Sequence, residues 1–462
     1  MTKLVFQQYR FGNSRVAKFE GQEPVYQLYT NFLTIAIGIN LYFFPLYVIT
    51  YQLRHFSLPS SPLLAYLRSK FQYMYFTLTE EQIAVRDAAR DFARMELLPG
   101  VIDRDRQMKF PTEQVKKMGE LGFLGMMVSP DYGGGGMDTI SYVLAMEEIS
   151  KIDNSCSVIM SVNNSLVCWG LEKMGTEEQK MKYLPKLTSG EWLGCFCLSE
   201  PEAGSDATSQ KTMAVDCGDH YLLNGTKNWI TNGGSSSVHL VMAQADPAAG
   251  SRGICTFIVE ASWPGVTIGA KEDKLGIRSS DTHTIMYTDV KVPKENLLSS
   301  KGDGFKFAMK TLTGGRIGIA SQALGIAAGA YELSLKYSQE RKTFGKPIAN
   351  HQAIAFKLAD MATEVEAARL MVHRAAWMKD EGMDFSVAAS MAKVYASDVA
   401  MKHSVEAVQI HGGYGFVKEY HVERLMRDAK ITQIYEGTSE VQRIVISRAI
   451  LQGQLYQPMW VE

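Results

Sequence analysis

Apolar positions recur every three to four residues from Thr79 to Leu187, alternate more tightly between Cys195 and Val292, then return to the longer period. The two changes of period predict helices, then strands, then helices again. Thr79-Glu-Glu-Gln82 has the form of a capping box and opens a helix that turns Ile83, Ala88 and Phe92 inward. Pro111 starts the next helix and Gly122 stops it, with further helical stretches at 140–152, 158–173 and 177–187. Short β-branched runs at 238–242, 254–259 and 284–287 read as strands, and Asn224-Gly225 as a hairpin turn. After Gly304, alanine-rich segments at 305–339, 352–381, 385–410 and 439–451 have few breakers, as in a four-helix bundle. The expected fold is α+β and multi-domain: an N-terminal all-helical domain at 76–192, a β-barrel or small sandwich at 193–300, and a C-terminal four-helix bundle at 301–455.

Residues 1–75 break this pattern. No charge falls between Glu23 and Arg54, and residues 31–50 are long enough to span a bilayer, although Asn31, Asn40 and Pro45 interrupt them. Three readings are open: a membrane anchor within 24–53, a processed leader, or an upstream extension not made in the cell. Met74, just ahead of Phe76-Thr-Leu-Thr79, favours the third. A net charge of −1 over 462 residues gives no electrostatic footing for nucleic acid. The six cysteines are scattered; Cys195 and Cys197 share one face of a strand and read as core. That usage suits a reducing compartment, so a cytoplasmic location is expected. Neither cysteines nor histidines show ligand spacing, and no metal is expected.

Six stretches could carry chemistry. Ile431-Thr-Gln-Ile-Tyr-Glu-Gly-Thr-Ser-Glu-Val-Gln-Arg443 pairs Ser439 with Gln442 as a capping box. Glu436 precedes that helix on a turn freed by Gly437. Such a carboxylate either complements the positive end of the helix or faces a cavity and takes a proton. Phe196-Cys-Leu-Ser-Glu-Pro-Glu-Ala-Gly-Ser-Asp206 runs from a strand into a turn, and Trp229-Ile-Thr-Asn232 offers a broad indole face. Thr313-Gly-Gly-Arg-Ile-Gly318 puts three glycines in a helix, which implies close approach by a ligand or by another helix. Arg341-Lys-Thr-Phe-Gly345 and Gln409-Ile-His-Gly-Gly-Tyr-Gly415 offer a guanidinium and a glycine-rich helix end.

Taken together and in order, these stretches resemble the acyl-CoA dehydrogenase family, most closely its short-chain (butyryl-CoA) branch, from about Phe76 to Leu451. The resemblance implies FAD held by Phe196, Leu198, Ser199, Trp229, Ile230, Thr231, Arg341, Gln352, Gln409, Ile410, His411, Gly412, Gly413, Thr438, Ser439 and Glu440, partly across a subunit interface. It implies acyl-CoA contacts at Ser205, Thr313, Gly314, Gly315, Arg316 and Gly437, with Glu436 as the catalytic base. Thr313 stands where short-chain members commonly carry aspartate. In the isovaleryl branch the base projects from the position of Gly315, and a glycine cannot serve. The implied reaction is dehydrogenation of a straight, short acyl-CoA to the trans-2-enoyl thioester, with electrons passing to an electron-transferring flavoprotein and a homotetramer as the assembly. An acyl-CoA oxidase and a non-catalytic acyl-CoA-binding protein of the same fold are the alternatives.

Overall fold

The computed structural model describes residues 77–453; the apolar stretch at 31–50 and Met74 lie outside them. The first helix, α1 (Glu80–Phe92), begins on the expected capping box, with Thr79 and Gln82 exchanging hydrogen bonds. Of the three residues read as inward, Phe92 is buried as expected, while Ile83 and Ala88 stay exposed and Ala89 takes the inward place next to Ala88. There follow α2 (Val101–Gln107), α3 (Thr112–Glu120), α4 (Thr139–Ser150), α5 (Asn154–Ser161), α6 (Trp169–Met174) and α7 (Glu177–Thr188). A π-helical turn at Val162–Cys168 joins α5 to α6. Asn163 and Asn164 pin it, donating to the carbonyls of Leu124 (2.9 Å) and Phe123 (2.7 Å).

The middle strands are β1 (Gly194–Cys197), β2 (Met213–Asp216), β3 (His220–Thr231), β4 (Val238–Gln244), β5 (Ile254–Glu260), β6 (Val266–Lys271), β7 (Thr282–Pro293) and β8 (Leu297–Leu298). They form one sheet in the order β6-β7-β3-β2-β4-β5-β8, with β1 added in parallel to β4. The sheet curls until strands that are not neighbours touch. Tyr221 of β3 meets Phe257 of β5 at 4.9 Å between ring centroids, and Tyr287 of β7 reaches His239 of β4. The expected barrel is thus a curled sheet around its own core, with no ladder joining its edge strands β6 and β8 among the described residues.

Asn224-Gly225 is not a hairpin turn. Both residues lie inside β3, at a register shift against β7. Gly225 has φ +152°, and a Cβ there would come within 2.4 Å of Thr212. The glycine therefore serves a bulge and a close strand approach, the other common reason for glycine in a strand.

The last part comprises α8 (Gly304–Glu340), α9 (Gln352–Asp380), α10 (Ser386–His411), α11 (His421–Ala429) and α12 (Ser439–Leu451). Four of these match the predicted bundle segments closely; α11 is a fifth, short helix. The two helical regions do not have separate interiors. Phe92, Met118, Met146 and Ile149 pack in one core with Leu324, Ala327, Val372 and Ala396. No helix among the described residues is long and apolar enough to cross a membrane.

Candidate active site

Glu436 sits in the connection between α11 and α12 with φ +52°, a left-handed conformation that disfavours a side chain by on the order of 1 kcal/mol or more. The loop is held there by its neighbours. Gln442 donates through Nε2 to the carbonyls of Glu436 (3.2 Å) and Gly437 (2.9 Å), and Lys393 Nζ donates to the Gly437 carbonyl (2.8 Å). Tyr435 donates its hydroxyl to Gln322 Oε1 on α8. The helix start differs from the sequence reading by one residue. Thr438 is the N-cap, accepting from Val441 N at 3.2 Å, and the Ser439–Gln442 box does not form because Gln442 serves the loop instead.

The carboxyl of Glu436 is turned inward. Its Oε2 is shielded from solvent and has no hydrogen-bond partner. A Cβ placed on Gly315 would lie 2.1 Å from that oxygen and 2.8 Å from Leu166, so the glycine leaves the space the carboxyl occupies. Burial pushes its pKa up to about 7, against the opposing pull of Lys393 and Arg316. Neither cation is within hydrogen-bonding reach of Oε2. Lys393, fully buried and itself pushed down to about 8 by burial, is engaged with Gly437. Arg316, also lowered by burial, donates from Nη1 to Ser390 at 3.2 Å, while its Nε has no partner. A carboxyl with one oxygen shielded and unpartnered, titrating near neutrality, has the properties of a general base.

Lys393 and Gln442 are absent from the sequence-predicted set. For Lys393 the signal was present: a lone charge in the run Ala388-Ala-Ser-Met-Ala-Lys-Val-Tyr-Ala396.

The predicted cofactor residues fall into groups. Phe196, Leu198 and Ser199 come from β1 and its end, Trp229, Ile230 and Thr231 from the end of β3, and the Asn228 amide donates to the Ser199 carbonyl at 2.9 Å. Trp229 is 62% exposed and has φ +61°, an unusual combination for a large apolar residue. An exposed indole on a strained backbone, with Phe196 and Leu198 nearby, fits a flat aromatic ring system that would cover it. Thr438, Ser439 and Glu440 border a concavity of about 250 Å³ with Asp398 and Arg443. A larger one, of about 600 Å³ between α3 and the turn at Gly190, is bordered by no predicted site residue.

Arg341, Gln352 and Gln409–Gly413 lie elsewhere. His411 stacks on Tyr337 at 4.2 Å, and Arg341 lies over Tyr414 at 5.4 Å. Gly315 and Tyr337 are 22 positions apart on α8, about 33 Å along its axis. His411 donates from Nδ1 to the Ala407 carbonyl (2.8 Å), and burial lowers its pKa, so it is a neutral ring. Of the predicted substrate residues, Gly314, Gly315 and Gly437 gather at or next to Glu436, and Arg316 is buried within its electrostatic reach. Thr313 is half-buried, with its hydroxyl bonded back to Met309 O (2.9 Å), and Ser205 is exposed on the loop after β1.

Helices flanking a curled sheet, an inward carboxyl titrating near 7, and a bare indole shelf fit a flavin-dependent oxidoreductase that acts on a C–H bond. The acyl-CoA dehydrogenase N-terminal, middle and C-terminal domain signatures match residues 79–191, 195–290 and 302–451. The chain belongs to the acyl-CoA dehydrogenase family, whose cofactor is FAD. It is 48% identical over 377 residues to the short-chain specific acyl-CoA dehydrogenase of Clostridium acetobutylicum, covering 82% of this chain and 100% of that protein. Butyryl-CoA dehydrogenase from Megasphaera elsdenii superposes with a TM-score of 0.81 at 48% identity, over 82% of this chain and 100% of that one. So does a chain solved in work on the electron transferring flavoprotein of Acidaminococcus fermentans, with a TM-score of 0.81 at 50% identity over the same shares.

Proposed function

We propose that Glu436 removes the α-proton of a straight, short-chain acyl-CoA and that the product is the trans-2-enoyl thioester. The observation that carries this is the state of the carboxyl: its Oε2 is shielded and unpartnered, and a strained residue holds it in the space Gly315 leaves free. Water exclusion raises its basicity, and the loop bonds from Gln442 and Lys393 fix its direction. The α-proton moves to a Glu436 oxygen as the α-carbon acquires charge, which hydrogen bonds to the thioester carbonyl stabilise; the Glu436 backbone amide is the candidate donor. FAD, when bound, supplies the acceptor for the β-hydrogen and its electron pair. Ionised Glu436 is required, so activity rises with pH through about 7.

Short-chain preference is supported by what lies beyond Gly315. Gly318 and Gln322 follow it down one face of α8. A Cβ on Gly318 would meet Ser161 Oγ at 2.6 Å and the Tyr142 hydroxyl at 2.7 Å, and one turn further Gln322 is tied to Tyr435. The free space next to the base therefore closes within about one helical turn, roughly 5 Å.

A homotetramer, or at least a second copy, is supported by the separation along α8. Residues about 33 Å apart on one helix do not hold both ends of one dinucleotide. The Arg341–His411 group then serves a cofactor whose ring lies against another copy. An electron-transferring flavoprotein as acceptor is supported by the Acidaminococcus relative. Six unpaired cysteines, five of them buried, suit a reducing cytoplasm.

The deciding experiment is Glu436→Gln. The variant is expected to stay yellow and bind acyl-CoA while turnover falls about 10³- to 10⁴-fold, the upper range for loss of a general base. Anaerobic titration with butyryl-CoA reads this as loss of flavin bleaching. Turnover within tenfold of the parent would refute the assignment.

A further inference from the structure

The inward face of the curled sheet holds a cluster that the proposed reaction does not use. Cys195 on β1 is in register with His239 on β4, which places their side chains on one face, and Cys197 lies two residues further along. All three are fully buried. The two sulfurs are 3.4 Å apart, and an imidazole nitrogen lies within 4.8 Å of both. Tyr287, from across the curl, places its hydroxyl 3.0 Å from His239 Nδ1 and 3.5 Å from Cys197 Sγ. His239 Nε2 is buried with no hydrogen-bond partner. The rest of this core is Ala214, Leu223, Val241, Val259, Val290 and similar residues. Two thiols, an imidazole with a free nitrogen and a phenol converge in this interior, with Ser236 and the buried charges of Lys227 and Asp281 at its border.

We propose that Cys195, Cys197 and His239 bind a zinc ion, with the Tyr287 hydroxyl alongside the fourth position. Sulfur and imidazole ligands select a borderline-soft metal. Charge balance narrows the choice. A dication bound to two thiolates and a neutral imidazole carries no net charge, which suits a buried site whose nearby charges, Lys227 and Asp281, are of opposite sign, whereas a monovalent ion would leave the same set anionic. Binding releases one proton from each thiol and forms two zinc–sulfur bonds and one zinc–nitrogen bond. The site is closed on all sides, so the ion enters as the sheet forms and exchanges slowly afterwards.

Its position gives it a role. β1 has four residues, and its other face carries Phe196 and Leu198 toward the predicted flavin shelf. Zinc would tie this short strand to β4 from behind. Sequence spacing could not show this, because His239 is brought in by strand register.

The test uses the flavin-loaded full chain, expressed with zinc chloride in the medium and dialysed against EDTA. Elemental analysis should find stoichiometric zinc in the parent and in the Cys217→Ser control, and at least about tenfold less in Cys197→Ala and His239→Ala. Should those variants not fold, the zinc-edge X-ray absorption spectrum of the parent decides: sulfur at about 2.3 Å together with nitrogen at about 2.0 Å supports the site. A yellow parent protein without zinc overturns it, whether Cys195 and Cys197 then titrate as free thiols or as a disulfide. Zinc with only nitrogen and oxygen neighbours overturns it equally.

Discussion

Two buried carboxyls in this molecule have the same kind of neighbours and opposite behaviour. Glu147 on α4 lies near Arg369 and Lys151; Glu436 lies near Lys393 and Arg316. Burial raises both. At Glu147 the guanidinium of Arg369 is in contact, at 2.7 Å from Oε1, and its charge and hydrogen bonds outweigh burial, so the pKa falls below the ordinary carboxylate value. At Glu436 both cations are engaged elsewhere, with the Gly437 carbonyl and the Ser390 hydroxyl, and the pKa rises to about 7. Contact makes a structural ion pair. The same charges held one shell away moderate a base without neutralising it.

The largest way to break this comparison after removal of the base itself is to break the ion pair. Glu147→Gln leaves Arg369 with only the exposed Glu366 as partner and is expected to destabilise the fold by about 3 kcal/mol. The sign with pH is fixed. A lowered carboxyl pKa contributes stability above the unfolded value that is lost as pH falls through the folded one. Glu147→Gln should therefore lose stability at pH 7 and converge with the parent in acid, as read by thermal melts. Activity per folded, flavin-loaded chain should be retained; a drop in step with stability would mean that Glu147 is linked to the site.

Next in size is Gly315→Ala. Its methyl would need the position now taken by Glu436 Oε2, so the carboxyl must move by an ångström or more. A displacement of that order in a reacting group corresponds to roughly a 10²-fold loss in kcat. Gly314→Ala is the control, since nothing lies within 4 Å of its added methyl in the free protein. If both variants lose activity equally, the effect comes from helix packing or substrate contact and not from the base.

Much of this was legible in the chain. The α-β-α order, the long helices and the place of Glu436 on a glycine turn ahead of the last helix follow from periodicity, turn residues and the match to a known family. What was not legible depended on contacts across the fold. Asn224-Gly225 has the composition of a turn, but Thr212 packs so closely that the glycine serves a bulge. Ser439 and Gln442 have capping-box spacing, yet Gln442 turns back to the Glu436 and Gly437 carbonyls because the left-handed loop exposes them. The helical period through Val162–Cys168 gave no sign of a π turn, which is pinned by side-chain bonds from Asn163 and Asn164 to segments far away in the chain. Lys393 was readable only as an anomaly in an apolar run, and its partner lies 44 residues away.

Lys393 gives the smallest effect and the sharpest test of the comparison. Its charge lowers the pKa of Glu436, against burial, and its bond to Gly437 is duplicated by Gln442 Nε2. Lys393→Met should therefore leave the loop in place while removing one moderating charge. The acid limb of kcat/KM, set in the parent by Glu436 losing its proton near 7, should move upward by about half to one pH unit. On the alkaline plateau, where the base is ionised in both proteins, rates should agree within about threefold. Lys393→Arg, which keeps the charge, should restore the limb toward the parent position. If Lys393→Met instead lowers the plateau and leaves the limb unmoved, the lysine acts only by holding the Gly437 carbonyl. A cation one shell away would then have no part in setting the base, and contact distance alone would not account for the difference between Glu147 and Glu436.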